Sequence, residues 1–298
     1  MGKLIRSISE NGRAVCYALD STDMAAELEQ IHETSAVVTA AAGRLLTAAS
    51  IMGSMLKSED CSVTLRVSGG GPAGSVIAVA DGSGNAKAYA VNPVVELPLN
   101  RLGKLDVSGA VGREGNLYVI RDLGMGEPYV GLVPLVSGEI AEDITSYFAV
   151  SEQVPTVCAL GVLVNPDLTV KAAGGYILQL LPGAGEEEIS QVEKNTMALP
   201  PVTRMLTDGL TPEGIAERAL AGMAPRLLEE RTVEYRCGCT RQKMANALAS
   251  LAPVELRAMA EEDGQAEVCC HFCRNKFVFG REELLEMAAN KTVDSGEN

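Results

Sequence analysis

The spacing of apolar residues changes from helical to strand-like within the first ninety residues. From Ser21 to Leu56 apolar residues recur with helical spacing, and the Ser, Thr and Asp residues at the start can cap a helix. Val63–Val67 then alternates with period two, and two further alternating runs, 75–80 and 86–91, flank the turn 81–85. This order predicts a helical segment followed by antiparallel strands.

Similar elements follow up to residue 181. The pattern indicates strands near 105–121, a helix from Ser137 to about Gln153, and two strands at 156–164 and 169–181. A parallel sheet of βαβ units would require strands and helices to alternate regularly along the chain, and this pattern does not show that alternation. The chain is therefore predicted to have an α+β fold, with an N-terminal α+β core domain over 1–181.

The segment 182–233 is predicted to be a helical linker. Residues 186–188 are three glutamates at a helix start, where the helix dipole favours acidic side chains. Pro200–Pro201, Gly209 and Gly222 divide the segment into helices near the length of about 12–15 residues below which an isolated helix is marginal. Two interpretations remain open, an ordinary packed connector and a segment that stays folded only while it is docked.

The last block, 234–290, is predicted to be a small separate domain. It holds three of the four phenylalanines, and it shows helical periodicity at 241–251, 254–262 and 281–290. Residues 291–298 are polar and are expected to form a tail.

A glycine-rich motif between two strands has the form of a nucleotide-binding loop. Gly69–Gly74 matches G-x-G-x-x-G, but a dinucleotide site needs a helix directly after the motif. The run that follows, Ser75–Val79, is strand-like, and Pro72 lies inside the motif. We therefore expect a hairpin loop here and no cofactor-binding or catalytic residues.

The charge of the chain limits its partners. With 39 acidic and 25 basic residues the formal charge is −14, which disfavours binding to a nucleic-acid backbone. The most apolar stretch, Ser35–Leu56, contains Arg44 together with several Ser and Thr, so it fits a buried helix better than a membrane span. The N-terminus has no apolar signal-peptide region, and we expect a cytoplasmic protein without membrane contact.

The eight cysteines fall into two groups. Cys16, Cys61 and Cys158 are scattered, and we expect them to be small apolar core residues. The other five lie between residues 237 and 273. In a reducing cytosol these would be free thiols rather than a disulfide framework.

The spacing of this second group predicts a zinc site. Cys237-Gly-Cys239 is followed after thirty residues by Cys270-His-Phe-Cys273, and two such pairs can place four thiolates around one tetrahedral Zn²⁺. A domain of this size has too small an apolar core to be secure alone, and a structural metal supplies the missing free energy.

Two neighbouring residues complicate the choice of ligands. Cys269 with Cys273 would leave three intervening residues, whereas Cys270 with Cys273 leaves the usual two, so Cys270 is preferred. His271 is expected to be a surface or supporting residue, because four thiolates already complete the site. His32, the other histidine, lies on an acidic helix and is expected to be solvated.

The short Cys-x-Cys pair allows two interpretations of the site. A disulfide between Cys237 and Cys239 would close a small, strained and easily reduced ring, which suits a reversible switch. A purely structural zinc ribbon remains the alternative on spacing alone.

The thiol cluster resembles that of a known family. With the run Val268–Cys273, it is similar to the redox-switch domain of the redox-regulated 33-kilodalton heat-shock chaperones, the 33 kDa chaperonins. Three other stretches agree, Thr39–Ala49, Gly138–Pro155 and Gly174–Ala184. The resemblance spans almost the whole chain, and the additional Cys269 is its main departure.

The resemblance implies a cytosolic holdase that is not an enzyme and has no ATPase activity. The reduced form would hold one zinc through four cysteines and be inactive. Oxidation would form the disulfides Cys237–Cys239 and Cys270–Cys273, release zinc, unfold the switch domain and linker, and produce a homodimer. The active form would bind unfolding client proteins and later pass them to an ATP-dependent foldase.

Two other functions compete with this one. A zinc-ribbon nucleic-acid-binding protein needs a basic face, but residues 234–298 contain 11 acids and 8 bases. A thiol oxidoreductase could use the Cys270-x-x-Cys273 dithiol, but the dithiol lies outside any thioredoxin-like βαβ pattern.

Overall fold

The fold consists of ten α-helices and twelve β-strands within the described residues of a computed structural model, which cover the backbone of 1–294 and the side chains of 1–290. The strands are β1 Gly2–Ile8, β2 Ala14–Asp20, β3 Ser62–Gly70, β4 Val76–Asp81, β5 Ala86–Ala90, β6 Gly112–Asp122, β7 Tyr129–Pro134, β8 Thr156–Val164, β9 Val170–Leu180, β10 Arg226–Val233, β11 Gln265–Cys269 and β12 Lys276–Gly280. The helices are α1 Thr22–His32, α2 Ala36–Ser54, α3 Val107–Val111, α4 Ala141–Tyr147, α5 Glu186–Ala198, α6 Val202–Thr207, α7 Pro212–Ala219, α8 Arg241–Leu248, α9 Pro253–Glu262 and α10 Arg281–Asp294. Helix α10 extends into the predicted polar tail, 291–298, whose last four residues lie outside the described part.

Contacts along the chain define two units, Met1–Arg236 and the residues from Cys237 onward. The N-terminal unit contains two five-stranded antiparallel sheets, ordered β10-β1-β2-β9-β8 and β5-β4-β3-β6-β7. The C-terminal unit contains the two-stranded sheet β11-β12 with helices α8 to α10. This mixture of antiparallel sheets and helices confirms the predicted α+β class.

Helix α2 provides the main core of the N-terminal unit. It packs against strands of both large sheets, and its buried positions include Leu45, Leu46 and Ile51. By length and composition alone it could cross a membrane, but 89% of its most apolar stretch is buried inside the protein. Arg44 is accommodated by an ion pair with Glu139, Nη1 to Oε2 at 2.7 Å. The predicted interpretation of this stretch as a buried helix is confirmed.

The first sheet has apolar residues on both faces. In β2, Val15, Tyr17 and Leu19 belong to the α2 core, since side chains alternate between the faces of a strand. Cys16 and its alternate neighbours point the other way, into a second core against helices α5 to α7. The second core receives Val192, Met205 and Ile215 from these helices. The first two-thirds of the predicted linker is therefore packed on the first sheet.

The end of the predicted helical linker, 182–233, is a strand. Strand β10 pairs antiparallel with β1, from Gly2 opposite Val233 to Ile8 opposite Arg226. The charged and polar residues of β10 show no helical apolar face, and the edge of the sheet supplies backbone hydrogen-bonding partners. The linker prediction is thus wrong over its last eight residues.

Three further boundaries differ from the predictions. The helical region starting at Ser21 divides into α1 and α2, with Glu33 in the left-handed conformation at φ 49° between them. The expected strand near 105–121 begins with helix α3, because the Asp106 carboxylate caps it by accepting the Gly109 N–H at 2.9 Å. The helix expected from Ser137 begins at Ala141.

Two hairpin predictions are confirmed. Strands β8 and β9 occupy the expected positions and pair with each other. The glycine motif Gly69–Gly74 ends β3 and leads into β4, so it forms a hairpin connection as predicted.

Candidate metal centre

The second cysteine pair lies in the turn between β11 and β12. The Cys270 N–H donates to the Asn275 carbonyl at 2.9 Å, and the Arg274 N–H donates back to the Cys270 carbonyl at 2.9 Å. Arg274 has φ 59°, in the left-handed region, and this lets the chain reverse directly after Cys273. The turn therefore holds Cys270 and Cys273 close together. Sequence analysis did not single out Arg274.

The first cysteine pair is fixed by the start of helix α8. The Thr240 hydroxyl caps the helix by accepting the Lys243 N–H at 3.2 Å. The Lys243 ammonium reaches back and donates to the Gly238 carbonyl at 2.9 Å, between the two cysteines. Lys243, three residues into α8, was also missed, because nothing in its spacing links it to the cysteines.

The structure brings together the four cysteines predicted as ligands. The Sγ atoms of Cys237, Cys239, Cys270 and Cys273 all lie within 4.8 Å of one another. The Sγ atoms of Cys239 and Cys273 are 3.3 Å apart, and those of Cys237 and Cys270 are 3.6 Å apart. Cys270 is buried and the other three are half-buried. Four converging sulfurs in this arrangement can hold a metal ion.

The two neighbours of these cysteines lie outside the cluster. Cys269 is exposed, and its thiol lies 3.5 Å from the Arg274 carbonyl oxygen. His271 is also exposed, and neither residue belongs to the group of close ligand atoms.

The sulfurs differ in acidity. Burial by itself raises the pKa of Cys270, but the backbone N–H groups of Cys273 and Phe272 bring this pKa to about 7, below the ordinary 9.0. Burial and the neighbouring Cys239 sulfur raise the pKa of Cys273 to about 11. A cation placed among the four sulfurs would favour the ionised form of each of them.

The remaining candidate residues serve the core. Cys16 and Cys61 are buried, as predicted, while Cys158 is half-buried against the α2 core. His32 is not solvated as expected. It is 4% exposed, and its Nε2 lies 3.4 Å from the Tyr235 hydroxyl. The prediction is wrong because Tyr235, distant in sequence, covers the end of α1.

Comparison with known proteins places the whole chain in one family. A family model described as Hsp33 protein matches residues 2–280. A protein from Bacillus velezensis named 33 kDa chaperonin is 44% identical over 292 residues, 98% of this chain and 100% of the relative. The 33 kDa chaperonin of Clostridioides difficile is 46% identical over 284 residues, 95% of this chain and 97% of the relative.

A solved structure gives the same result. The crystal structure of a 33 kDa chaperonin, a heat shock protein 33 homolog from Thermotoga maritima, matches with a TM-score of 0.89 and 37% identity. The match covers 98% of this chain and 99% of that one. The relatives carry the name of a non-enzymatic class of protein, which agrees with the prediction that the chain is not an enzyme. By sequence and by fold, the chain belongs to the Hsp33 family.

Proposed function

We propose that this protein is a redox-regulated, ATP-independent chaperone that holds unfolding proteins in the cytoplasm under oxidative stress. The observation that carries the proposal is a cluster of four oxidisable thiols in a unit with a small apolar core. Family membership supports the chaperone activity, and the cluster supports its control by oxidation.

The thiol cluster fits zinc. A tetrahedral zinc–thiolate centre with bonds of about 2.3 Å places its sulfurs about 3.8 Å apart. The four Sγ atoms lie within 4.8 Å of one another, close to that spacing. Cys237, Cys239, Cys270 and Cys273 would hold the ion, which would keep all four sulfurs ionised. We propose one zinc per chain in the reduced form.

Zinc would provide much of the stability of the C-terminal unit. Among the described side chains, up to residue 290, six form its buried apolar core: Leu248, Leu256, Ala260, Phe279, Leu284 and Ala288. Structural zinc contributes an apparent folding free energy of roughly 10–16 kcal/mol. This equals or exceeds the total stability of about 5–15 kcal/mol of a typical domain. Loss of the ligands should therefore unfold this unit.

Oxidation of the thiolates would remove the ligands. Each disulfide forms when two thiolates lose two electrons, and one hydrogen peroxide accepts these electrons with two protons and leaves as two waters. Two peroxides per chain would convert the cluster into two disulfides, Cys237–Cys239 and Cys270–Cys273. The pairing follows the family resemblance, and reduction by cellular thiols would reverse it.

The linker would respond to the loss of the C-terminal unit. Helices α5 to α7 are short, and their order depends on the second core against the first sheet. Release of these helices would expose Met205 and Leu206, which pack in or against that core, beside Met197, which is already exposed. Flexible methionines suit contact with clients of varied sequence. The charge of −14 would keep this exposed state soluble.

Two further partners are proposed from the resemblance. The oxidised protein would form a homodimer, and an ATP-dependent foldase would receive its clients when reducing conditions return. Binding to nucleic acid or membranes is not part of the proposal.

Zinc content and client aggregation, measured before and after mild peroxide oxidation, test the proposal. The client is heat-denatured malate dehydrogenase, and light scattering measures its aggregation with and without ATP. We expect one zinc and weak suppression in the reduced form, and no zinc and strong suppression in the oxidised form. ATP should change neither result.

Two outcomes would contradict the proposal. Strong suppression by the reduced, zinc-loaded protein would exclude the redox control, and an ATP requirement would exclude the holdase activity. DNA-binding and insulin-reduction assays separate the two alternative functions, and we expect both to be negative.

A further inference from the structure

Strand β10 occupies an edge of the first sheet with little help from its side chains. It pairs with β1 from Arg226 to Val233, with one register shift at Leu228. Of its eight side chains only that of Val233 is buried, while Leu227 is 50% and Leu228 is 43% exposed. The hold on β10 is thus mainly a ladder of backbone hydrogen bonds, which does not depend on sequence.

Besides the packing of Val233 in the α2 core, the side chains of β10 form ion pairs and a hydrogen bond. Lys3 pairs with Glu230 at 3.2 Å, and the Arg231 guanidinium donates to the Gly82 carbonyl at 2.8 Å. The Lys3 and Glu230 side chains are 43% and 53% exposed, so this pair contributes little to stability.

The chain directly after β10 covers a second sheet edge. The Ala86 N–H donates to the Glu234 carbonyl at 3.1 Å, and the Arg236 N–H donates to the Ala86 carbonyl at 2.9 Å. The buried Tyr235 donates its hydroxyl proton to the Ala88 carbonyl at 3.0 Å. Residues 226–236, which we call the edge strap, therefore cover β1 in one sheet and β5 in the other.

The edge strap ends immediately before Cys237, the first cysteine of the cluster. If the C-terminal unit unfolds, the strap becomes part of a long unfolded chain, held by its backbone ladder and by Val233 and Tyr235. Segments with few buried side chains are the first to open. An opened strap leaves β1 with unpaired N–H and C=O groups along one side.

We propose that the β1 edge vacated by the edge strap is a client-binding site, which takes an extended segment of an unfolding polypeptide as an added antiparallel strand. The resting structure indicates what kind of segment binds there. In it the β1 edge already pairs with a strand, β10, whose side chains are mostly exposed to solvent. Backbone pairing explains how one site accepts clients of unrelated sequence. The proposal rests on the proposed function, since oxidation opens the site and clients fill it.

A labelled peptide with the sequence of residues 226–236 tests the site in the full-length protein. We expect the oxidised protein to bind it about tenfold more tightly than the reduced protein, because the strap blocks the edge in the reduced form. The matched control is the same peptide with proline at the positions of Glu229 and Glu230. Successive N–H groups of a strand point to opposite sides, so one of these prolines removes a donor to β1, and this peptide should not bind.

We call the peptide of residues 226–236 the strand peptide and its control the proline peptide. Excess strand peptide should compete with clients, so that the oxidised protein prevents less malate dehydrogenase aggregation. The proline peptide should have no such effect. If the oxidised protein binds both peptides equally, or binds neither, the β1 site is excluded, even where the protein suppresses aggregation. Failure to suppress aggregation, with selective binding of the strand peptide, would overturn the proposed function and leave the β1 site supported.

A variant of the chain provides a second test without oxidation. Glu229→Pro combined with Glu230→Pro should detach β10 and allow the reduced, zinc-loaded protein to bind the strand peptide. Glu229→Thr with Glu230→Thr removes the same charges but keeps both N–H groups, so it should behave as the unmodified protein. A proline variant that retains zinc but does not bind the peptide contradicts the proposal. If the variant does not fold, the peptide experiment on the unmodified protein still decides.

Discussion

The two units of this chain reach stability by different means. In the N-terminal unit every residue of β2 from Ala14 to Leu19 is buried, because alternate side chains enter two separate apolar cores. In the C-terminal unit the strands β11 and β12 contribute a single fully buried side chain, Phe279, to a small core. Four sulfurs converge in the same unit. The first arrangement depends on apolar burial, which oxidation does not change. Under the proposed function, the second depends on a set of metal ligands that oxidation would destroy.

Cysteine itself shows the difference. Burial among apolar residues raises the pKa of Cys16, which keeps this thiol protonated and unreactive. Cys270 is also buried, but backbone N–H groups bring its pKa to about 7. The same side chain is therefore inert in one unit and close to reactive in the other.

The largest expected effect is that of metal removal. Chelation under reducing conditions should unfold the C-terminal unit, with a loss of roughly 10–16 kcal/mol of apparent stability, and leave the core over 1–180 folded. Hydrogen exchange with mass spectrometry should show lost protection after residue 237 and unchanged protection in α2. Persistent protection of α9 and β12 without metal would show that the small core suffices.

Single cysteine replacements sharpen the ligand assignment. Cys273→Ser should lower the zinc content sharply, because three thiolates remain. Cys269→Ser is the matched control and should leave the zinc content at one per chain. Zinc analysis of the purified variants measures both. If Cys269→Ser removes the metal and Cys270→Ser does not, the assignment of the ligands is wrong.

The linker, 182–233, lies between the region stabilised by apolar burial and the unit proposed to depend on zinc. Although the structure groups it with the N-terminal unit, we expect oxidation to make it sensitive to protease between Met197 and Met223. The core over 1–180 should stay intact, since its apolar burial is independent of zinc. Limited proteolysis with mass spectrometry decides the matter. Equal protection of the linker in reduced and oxidised protein would make it a passive part of the stable unit.

The smallest effect concerns an ion pair that joins α7 to β1. Burial alone raises the pKa of Glu213, but the Lys3 ammonium and hydrogen bonds bring it below the ordinary 4.5. A lowered folded-state pKa stabilises the protein above the unfolded-state pKa, and this contribution is lost as the pH falls through the folded-state value. Glu213→Gln should therefore lower the Tm by about 1–2 °C at pH 7, and the difference should vanish in acid. A Tm difference that is independent of pH would assign the effect to packing.

Much of this architecture was accessible from the sequence because it depends on local patterns. The strand-like runs 156–164 and 169–181, on either side of a turn, predicted the β8–β9 hairpin. The spacing of four cysteines predicted the cluster that the structure assembles. Such features need only short-range periodicity or a fixed ligand spacing.

The predictions that failed depend on distant partners or on a single capping residue. Strand β10 is held by β1, more than two hundred residues away, and nothing in its own polar sequence indicates a strand. His32 is buried by Tyr235, at a similar distance along the chain. Helix α3 is capped by the Asp106 carboxylate, within a region that was predicted to be strand-like.

The geometry of the four sulfurs determines what kind of oxidised product can unfold. Two pairs of sulfurs within 3.6 Å of each other join cysteines far apart in sequence, Cys237 with Cys270 and Cys239 with Cys273. Disulfides between these pairs would each close a loop of more than thirty residues and restrict the unfolded chain by roughly 3–4 kcal/mol, so they would keep the unit folded. Disulfides between sequence neighbours close very small rings and restrict the unfolded chain much less. We therefore expect an oxidant to open this unit through disulfides between neighbours along the chain and not through disulfides between the distant pairs. Peptide mapping of the oxidised protein distinguishes the two pairings.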